Sequence, residues 1–182
     1  MKTFLLIAVI SFASMNTIQA QTYFTKNGKI SFYSKTTMEN IDAVNNQVVS
    51  VLNSKTGVMQ FSVQVTGFLF KKALMQEHFN GDYLESDKYP KATFKGTIAD
   101  ISKVDFSKDG NYTVSVTGSL NVHNVANQVT VPGTISIVGG KLNATATFNV
   151  LVADYKIDIP GAVRNNISKS IEIKVDCNYQ PK

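Results

Sequence analysis

Residues 74–96 read LMQEHFNGDYLESDKYPKATFKG, a short helical pattern that breaks into a polar loop and re-enters a strand. Leu74 and His78 stand four apart, as do Met75 and Phe79, so each pair shares one side of a short helix. Gly81 is placed to stop that helix, since glycine accepts the left-handed backbone that helix ends favour. Pro90 pushes Tyr89 into an extended conformation, and Ala92 to Ile98 follows as a strand. The segment holds no catalytic constellation. It reads as a lid that packs apolar side chains over something and is tied directly to a sheet.

Outward from the lid, the chain reads as strand after strand. Upstream, Asn27-Gly28 marks a two-residue hairpin turn within Gln21 to Tyr33. Beyond it, Ile30 and Phe32 alternate with Ser31 and Tyr33. Val48 to Leu52 is a short apolar strand closed by Asn53 to Gly57. Met59, Phe61, Val63 and Val65 alternate with Gln60, Ser62 and Gln64, which gives a strand with one apolar and one polar face. Downstream, Asp109-Gly110-Asn111 makes a turn into Tyr112, Val114 and Val116, a pattern that Leu120 and Val122 extend. Pro132 argues for an edge or a bulge between Val131 and Ile135. Gly139-Gly140 turns the chain into Leu142, Ala144, Ala146, Phe148 and Val150. The last alternating run is Ile171 to Tyr179, and a short second helix is expected near Val163 to Ile167.

These runs predict an all-β domain: a single antiparallel sheet of roughly eight strands joined by short turns, with one short helix. A sheet with one apolar face must cover it, and closing into a barrel does so while removing the edges. A barrel of this size is either filled by its own side chains or leaves room for one small ligand. Gly96, Gly118, Ala144 and Ala146 are small residues at inward positions, opposite Phe61, Phe94 and Phe148. They read either as space in the interior or as the small members of a tapered, filled core. In the first case each methylene taken from water contributes about 0.8 kcal/mol. Roughly ten of them offset the ordering costs of association without any special polar contact.

HFNGDYLESDKYPKATFKG, from His78, resembles the hallmark segment of the YceI-like, polyisoprenoid-binding family. The residues that carry the match are His78, Asp82, Tyr83, Leu84, Lys88, Tyr89, Pro90, Ala92, Thr93 and Phe94. GSLNVHNVANQVTVPGTI, from Gly118, is similar to a second, less specific family stretch. Together the two make the resemblance span roughly residues 22 to 180. It implies an elongated, lipocalin-like antiparallel barrel whose interior holds a polyisoprenoid or fatty-chain lipid, with no cofactor. Similar proteins often pair, so a homodimer is a further expectation. On this reading Phe32, Phe61, Val63, Phe94, Val114, Leu120 and Phe148 form the wall of a lipid cavity. Phe68, Leu74, Met75 and Phe79 cover its opening, and His78 is either a polar group at the mouth or a helix-end residue bonded to a loop carbonyl. The stretch Phe68 to Lys72 departs from the family pattern in being short and basic, which bears on the length of the ligand.

The N-terminus carries Lys2, an apolar run from Phe4 to Phe12, and Ile18-Gln19-Ala20, the layout of a secretory signal peptide cleaved after about Ala20. The expected domains are therefore the leader, 1–20, and one barrel domain, 21–182, of a periplasmic or secreted protein. The apolar run is too short to span a bilayer, and no integral membrane segment is expected in the mature chain. Cys177 is the single cysteine, so no internal disulfide forms, and its alternating context reads as a buried small hydrophobe. The formal charge of +5 is spread along the chain. There is one arginine, Arg164, and no basic block, which argues against nucleic-acid binding.

His78 and His123 are the only histidines. His123 reads as a turn residue, and no metal-ligand spacing is present. Glu77, Asp82, Glu85 and Asp87 fit a solvated loop better than an acid/base pair. No nucleophile elbow or phosphate loop appears. The sequence thus predicts a non-enzymatic lipid-binding barrel. The alternative is a filled barrel acting as a structural or protein-interaction module.

Overall fold

A computed structural model describes residues 21–182; the reading of residues 1–20 as a leader lies outside the described residues. The strands are β1 (Thr22–Lys35), β2 (Asn40–Asn53), β3 (Val58–Gln64), β4 (Leu69–Phe70), β5 (Lys91–Ile98), β6 (Gly110–Val122), β7 (Val125–Val138), β8 (Lys141–Leu151) and β9 (Ser170–Pro181). One short helix, α1 (Ala73–His78), lies between β4 and β5. The order β1-β9-β8-β7-β6-β5-β3-β2 is closed by pairing of β2 with β1, so eight antiparallel strands form a barrel. The two-residue β4 is an annex on β2.

The lower end of the barrel carries the β2–β3 turn, the β5–β6 connection and the β7–β8 turn. At that turn Gly139 and Gly140 have φ of 56° and 74°, the paired left-handed geometry of a tight hairpin. The interior there is packed solid by Tyr23, Leu52, Ile98, Ile137, Leu142 and Tyr179, all buried. The upper end carries the β1–β2 turn, the segment from Val65 to Pro90 that includes α1, the β6–β7 turn and the β8–β9 connection. Its core is smaller: Ala43, Val48, Val63 and Phe68, with half-buried aromatics packed on them.

Asn27-Gly28 is not a hairpin turn. β1 runs straight through it as one strand, with the register against β2 shifted on either side of Gly28. The reason lies on the neighbouring strand β9: a Cβ on Gly28 would sit 2.5 Å from Cys177 Sγ. The glycine makes room for a buried thiol, and the bulge changes which residues face inward. Tyr23 and Thr25 are buried before it, whereas Ile30 and Phe32 face the interior after it. The hairpin turn falls instead at Thr36 to Glu39, where Thr36 N donates to Glu39 O at 3.0 Å. β2 is correspondingly longer than Val48 to Leu52.

Gly81 does not stop the helix. α1 runs on into a wider turn, Phe79–Tyr83, and the left-handed residue that ends the segment is Glu85, with φ of 42°. The turn into β6 lies near Phe106 and Ser107 rather than at Asp109 to Asn111, and Gly110 already belongs to the strand. The segment near Val163 is a 3-10 turn, Gly161–Asn166, and not an α-helix.

Pro132 does mark an edge. β7 pairs with β6 along its whole length but with β8 only from Gly133 to Val138. Above that point β7 and β8 part. The gap is bridged by the turn Val152–Tyr155, where Asn127 Nδ2 donates to Asp154 O at 2.7 Å.

Candidate functional site

The upper half of the barrel encloses a cavity of about 540 Å³. It opens between Glu39 and Ile41 of the β1–β2 hairpin, α1, and Ile157 to Ile167 of the β8–β9 connection. Volumes of about 300–1,000 Å³ are those at which proteins hold small molecules.

The structure brings all the residues named by sequence as wall, lid and mouth onto the lining of this cavity. Phe32, Phe61, Val63, Phe94, Val114, Leu120 and Phe148 border it from the strands. Phe68, Leu74, Met75, His78 and Phe79 border it from the lid. A six-residue helix has little stability of its own, and α1 buries none of its residues. It is held by aromatic packing at its C-terminal end. The Phe79 ring stacks on Phe32 at 5.3 Å and meets Phe70 at 5.0 Å and Phe68 at 5.7 Å. Gln76 Oε1 adds a hydrogen bond from Phe70 N at 3.2 Å. Leu74 stays 63% exposed, so it stands on the outer rim while Met75 faces in.

The aliphatic side of the wall was missed. Val150, Ile171, Ile173 and Val175 line the cavity from β8 and β9. Ile157, Ile159 and Val163 do so from the connection between those strands. The alternation of β9 was visible, but nothing local told its inward residues from those of the packed lower half.

The four small residues divide into two pairs. Ala144 and Ala146 line the cavity and give it space. Gly96 and Gly118 do not border it; they pair with each other between β5 and β6. A Cβ on Gly96 would lie 2.5 Å from the tip of the Phe94 ring, and one on Gly118 would collide with the backbone of Lys95 and Gly96. Their bare backbones let two strands approach and seat a phenyl ring, which is packing rather than room.

The charged lining residues all lie at the mouth. Lys72 Nζ and Glu39 Oε1 pair at 2.9 Å, and His78 Nδ1 shares a 2.6 Å hydrogen bond with Asp82 Oδ2. His78 is thus held by a carboxylate on its own segment. Tyr83 lies nearby; burial first, then the Asp82 charge, pushes its phenol above the ordinary value.

His123 does more than occupy a turn. It and Asn124 adopt φ of 51° and 58° at the β6–β7 hairpin, so two non-glycine residues take the left-handed pair. That geometry turns the ring back over the barrel end. Nε2 lies 2.7 Å from Glu85 Oε2, Nδ1 lies 3.2 Å from Tyr155 O, and the ring meets Tyr89 edge-on at 4.8 Å. One imidazole therefore ties the base of the lid to the turn that bridges β7 and β8. Glu85 is not a free surface carboxylate: the His123 bond, helped by the Lys88 charge, holds its carboxyl below the usual range.

Among the described residues, no group of three or more His, Cys, Asp and Glu is placed to hold a metal ion. Cys177 is free and buried, and burial pushes its thiol up to about 12, the opposite of what a nucleophile needs. No helix of the described residues is long and apolar enough to cross a membrane.

A family model for the YceI-like domain matches residues 10–179. Among solved structures, a polyisoprenoid binding domain from Saccharophagus degradans superposes with a TM-score of 0.78 at 12% identity, covering 90% of this chain and 100% of that one. BcnA from Burkholderia cenocepacia gives 0.70 at 19% identity, covering 84% and 96%. The YceI protein of Campylobacter jejuni gives 0.56 at 13% identity, covering 100% and 99%. At these identities the likeness is one of fold. No curated protein matches the chain.

Proposed function

The chain belongs to the YceI-like domain family, and from that premise we propose that it is an exported, non-enzymatic protein that holds a polyisoprenoid or fatty-chain amphiphile in the upper half of its barrel. The observation that carries this reading is the cavity itself, about 540 Å³ bordered almost wholly by aliphatic and aromatic side chains. A space of that kind gains most from a hydrocarbon chain, since each methylene it removes from water contributes about 0.8 kcal/mol. The polar groups at the mouth, His78, Tyr83 and the Lys72–Glu39 pair, sit where the head of an amphiphile would emerge. The polyisoprenoid binding domain of similar fold supports the same ligand class. Export rests on the leader-like residues 1–20, and a carrier or storage role suits a hollow interior lined by apolar side chains.

Titration with a fluorescent fatty-chain probe tests the proposal. The protein is expected to take up one probe with micromolar or tighter affinity. Phe61→Asp places a charge on the cavity wall and is expected to abolish uptake. Phe79→Ala removes the ring that anchors the lid and is expected mainly to speed release. Absence of uptake by the unaltered protein would refute the reading.

A further inference from the structure

The cavity ends halfway down the barrel, and its floor is built from identifiable groups. Met59, Val116, Ile135 and Ala144 belong both to the cavity lining and to the packed core beneath it. The core below them is not purely apolar. Tyr179 Oη donates to Ser50 Oγ at 2.6 Å, and Ser50 Oγ donates to Gln60 O at 2.9 Å. Both residues are buried, Ser50 at 1% exposure and Tyr179 at 6%. A hydrocarbon tail driven past Ile135 has to displace this pair and leave its atoms unpartnered, and one more buried methylene returns less than such a loss costs.

Directly above the floor the barrel narrows in side-chain volume. Ala144 pairs with Ile135 at the floor itself, and one step above it Ala146 pairs with Val175 of β9 and Gly133 of β7. The lowest part of the cavity is therefore open because of Ala146 and Gly133, and it stops at Ile135 and Met59.

We propose that this floor sets the longest hydrocarbon chain the protein accepts, with Ile135 as the stop and Ala146 as the residue that keeps the last segment open. The inference rests on the lipid-binding reading above. It makes the protein selective for chain length through the depth of its cavity.

The test is displacement of a fluorescent fatty-chain probe by a homologous series of saturated fatty acids, for the wild-type protein, Ile135→Ala and Ala146→Leu. Wild-type affinity is expected to rise with each added carbon to a maximum and then fall. Ile135→Ala deepens the floor and moves the maximum to longer chains. Ala146→Leu projects into empty space, so it disturbs little packing, and it moves the maximum to shorter chains. Each methylene it excludes is expected to weaken a long chain roughly fourfold. If Ile135→Ala does not fold, Ala146→Leu alone decides. Chains that bind with a maximum unmoved by Ala146→Leu overturn the inference and leave the lipid-binding reading standing. No binding at any length by the wild-type protein overturns both.

Discussion

The lower and upper halves of this barrel are made by the same strands, yet one is packed and the other is hollow. β8 shows the contrast within a single strand. Its inward residue Leu142 is buried in the lower core, while Ala144, Ala146, Phe148 and Val150 border the cavity. β9 does the same in reverse order, from Ile171 and Ile173 on the cavity wall to Cys177 and Tyr179 in the core. A closed sheet fixes the diameter, so what differs is the volume of inward side chains at each level and whether they carry polar groups that must be paired. The lower half supplies stability by filling itself. The upper half is left for another molecule to fill.

The largest expected effect separates the halves by stability. Leu52 is fully buried in the lower core, and Leu52→Ala is expected to cost about 2–5 kcal/mol in urea unfolding. Phe148→Ala, on the cavity wall, is expected to cost clearly less, because its ring borders space rather than close packing. Equal costs would break the comparison. Next, a bound fatty chain at a hundredfold its Kd is expected to stabilise the wild-type protein by about 2.7 kcal/mol and to leave Phe61→Asp unchanged, read by the shift in unfolding midpoint. Within the lower half, Ser50→Ala strands the buried Tyr179 hydroxyl and is expected to cost about 1–3 kcal/mol. Tyr179→Phe leaves Ser50 bonded to Gln60 O and is expected to cost less.

The smallest effect concerns the covers of the upper half. The Glu85 carboxyl is held below its usual range chiefly by the His123 hydrogen bond. A carboxyl depressed in the folded state stabilises it above the unfolded value, and that contribution disappears as pH falls through the lowered folded value. Probe release is therefore expected to quicken modestly as pH falls into and below the carboxylate range, since Glu85 stays in contact with solvent. Glu85→Gln is expected to remove that acid dependence, as measured by stopped-flow dissociation.

The sequence displayed the barrel through local alternation, and β3, β6, β8 and β9 were all legible that way. What it hid depends on partners distant along the chain. Asn27-Gly28 carries the same local signal whether it turns a hairpin or bulges a strand, and Cys177 on β9, adjacent in space but remote in sequence, decides between them. Gly96 and Gly118 read, like Ala144 and Ala146, either as interior space or as the small members of a tapered core. Only the register of β5 against β6 reveals that the glycines serve close approach. The aromatic wall could be named because Phe61, Phe94 and Phe148 stand out among small residues, whereas the aliphatic wall from Ile171 to Val175 looked like any strand. His123 and Glu85 lie 38 residues apart, and nothing in either segment announces the other.

Native mass spectrometry of the protein purified from its host under non-denaturing conditions tests the hollow upper half most directly. The expected result is a single adduct of lipid mass on the wild-type chain, absent from Phe61→Asp. A bare chain that afterwards takes up no fatty-chain probe would contradict the account.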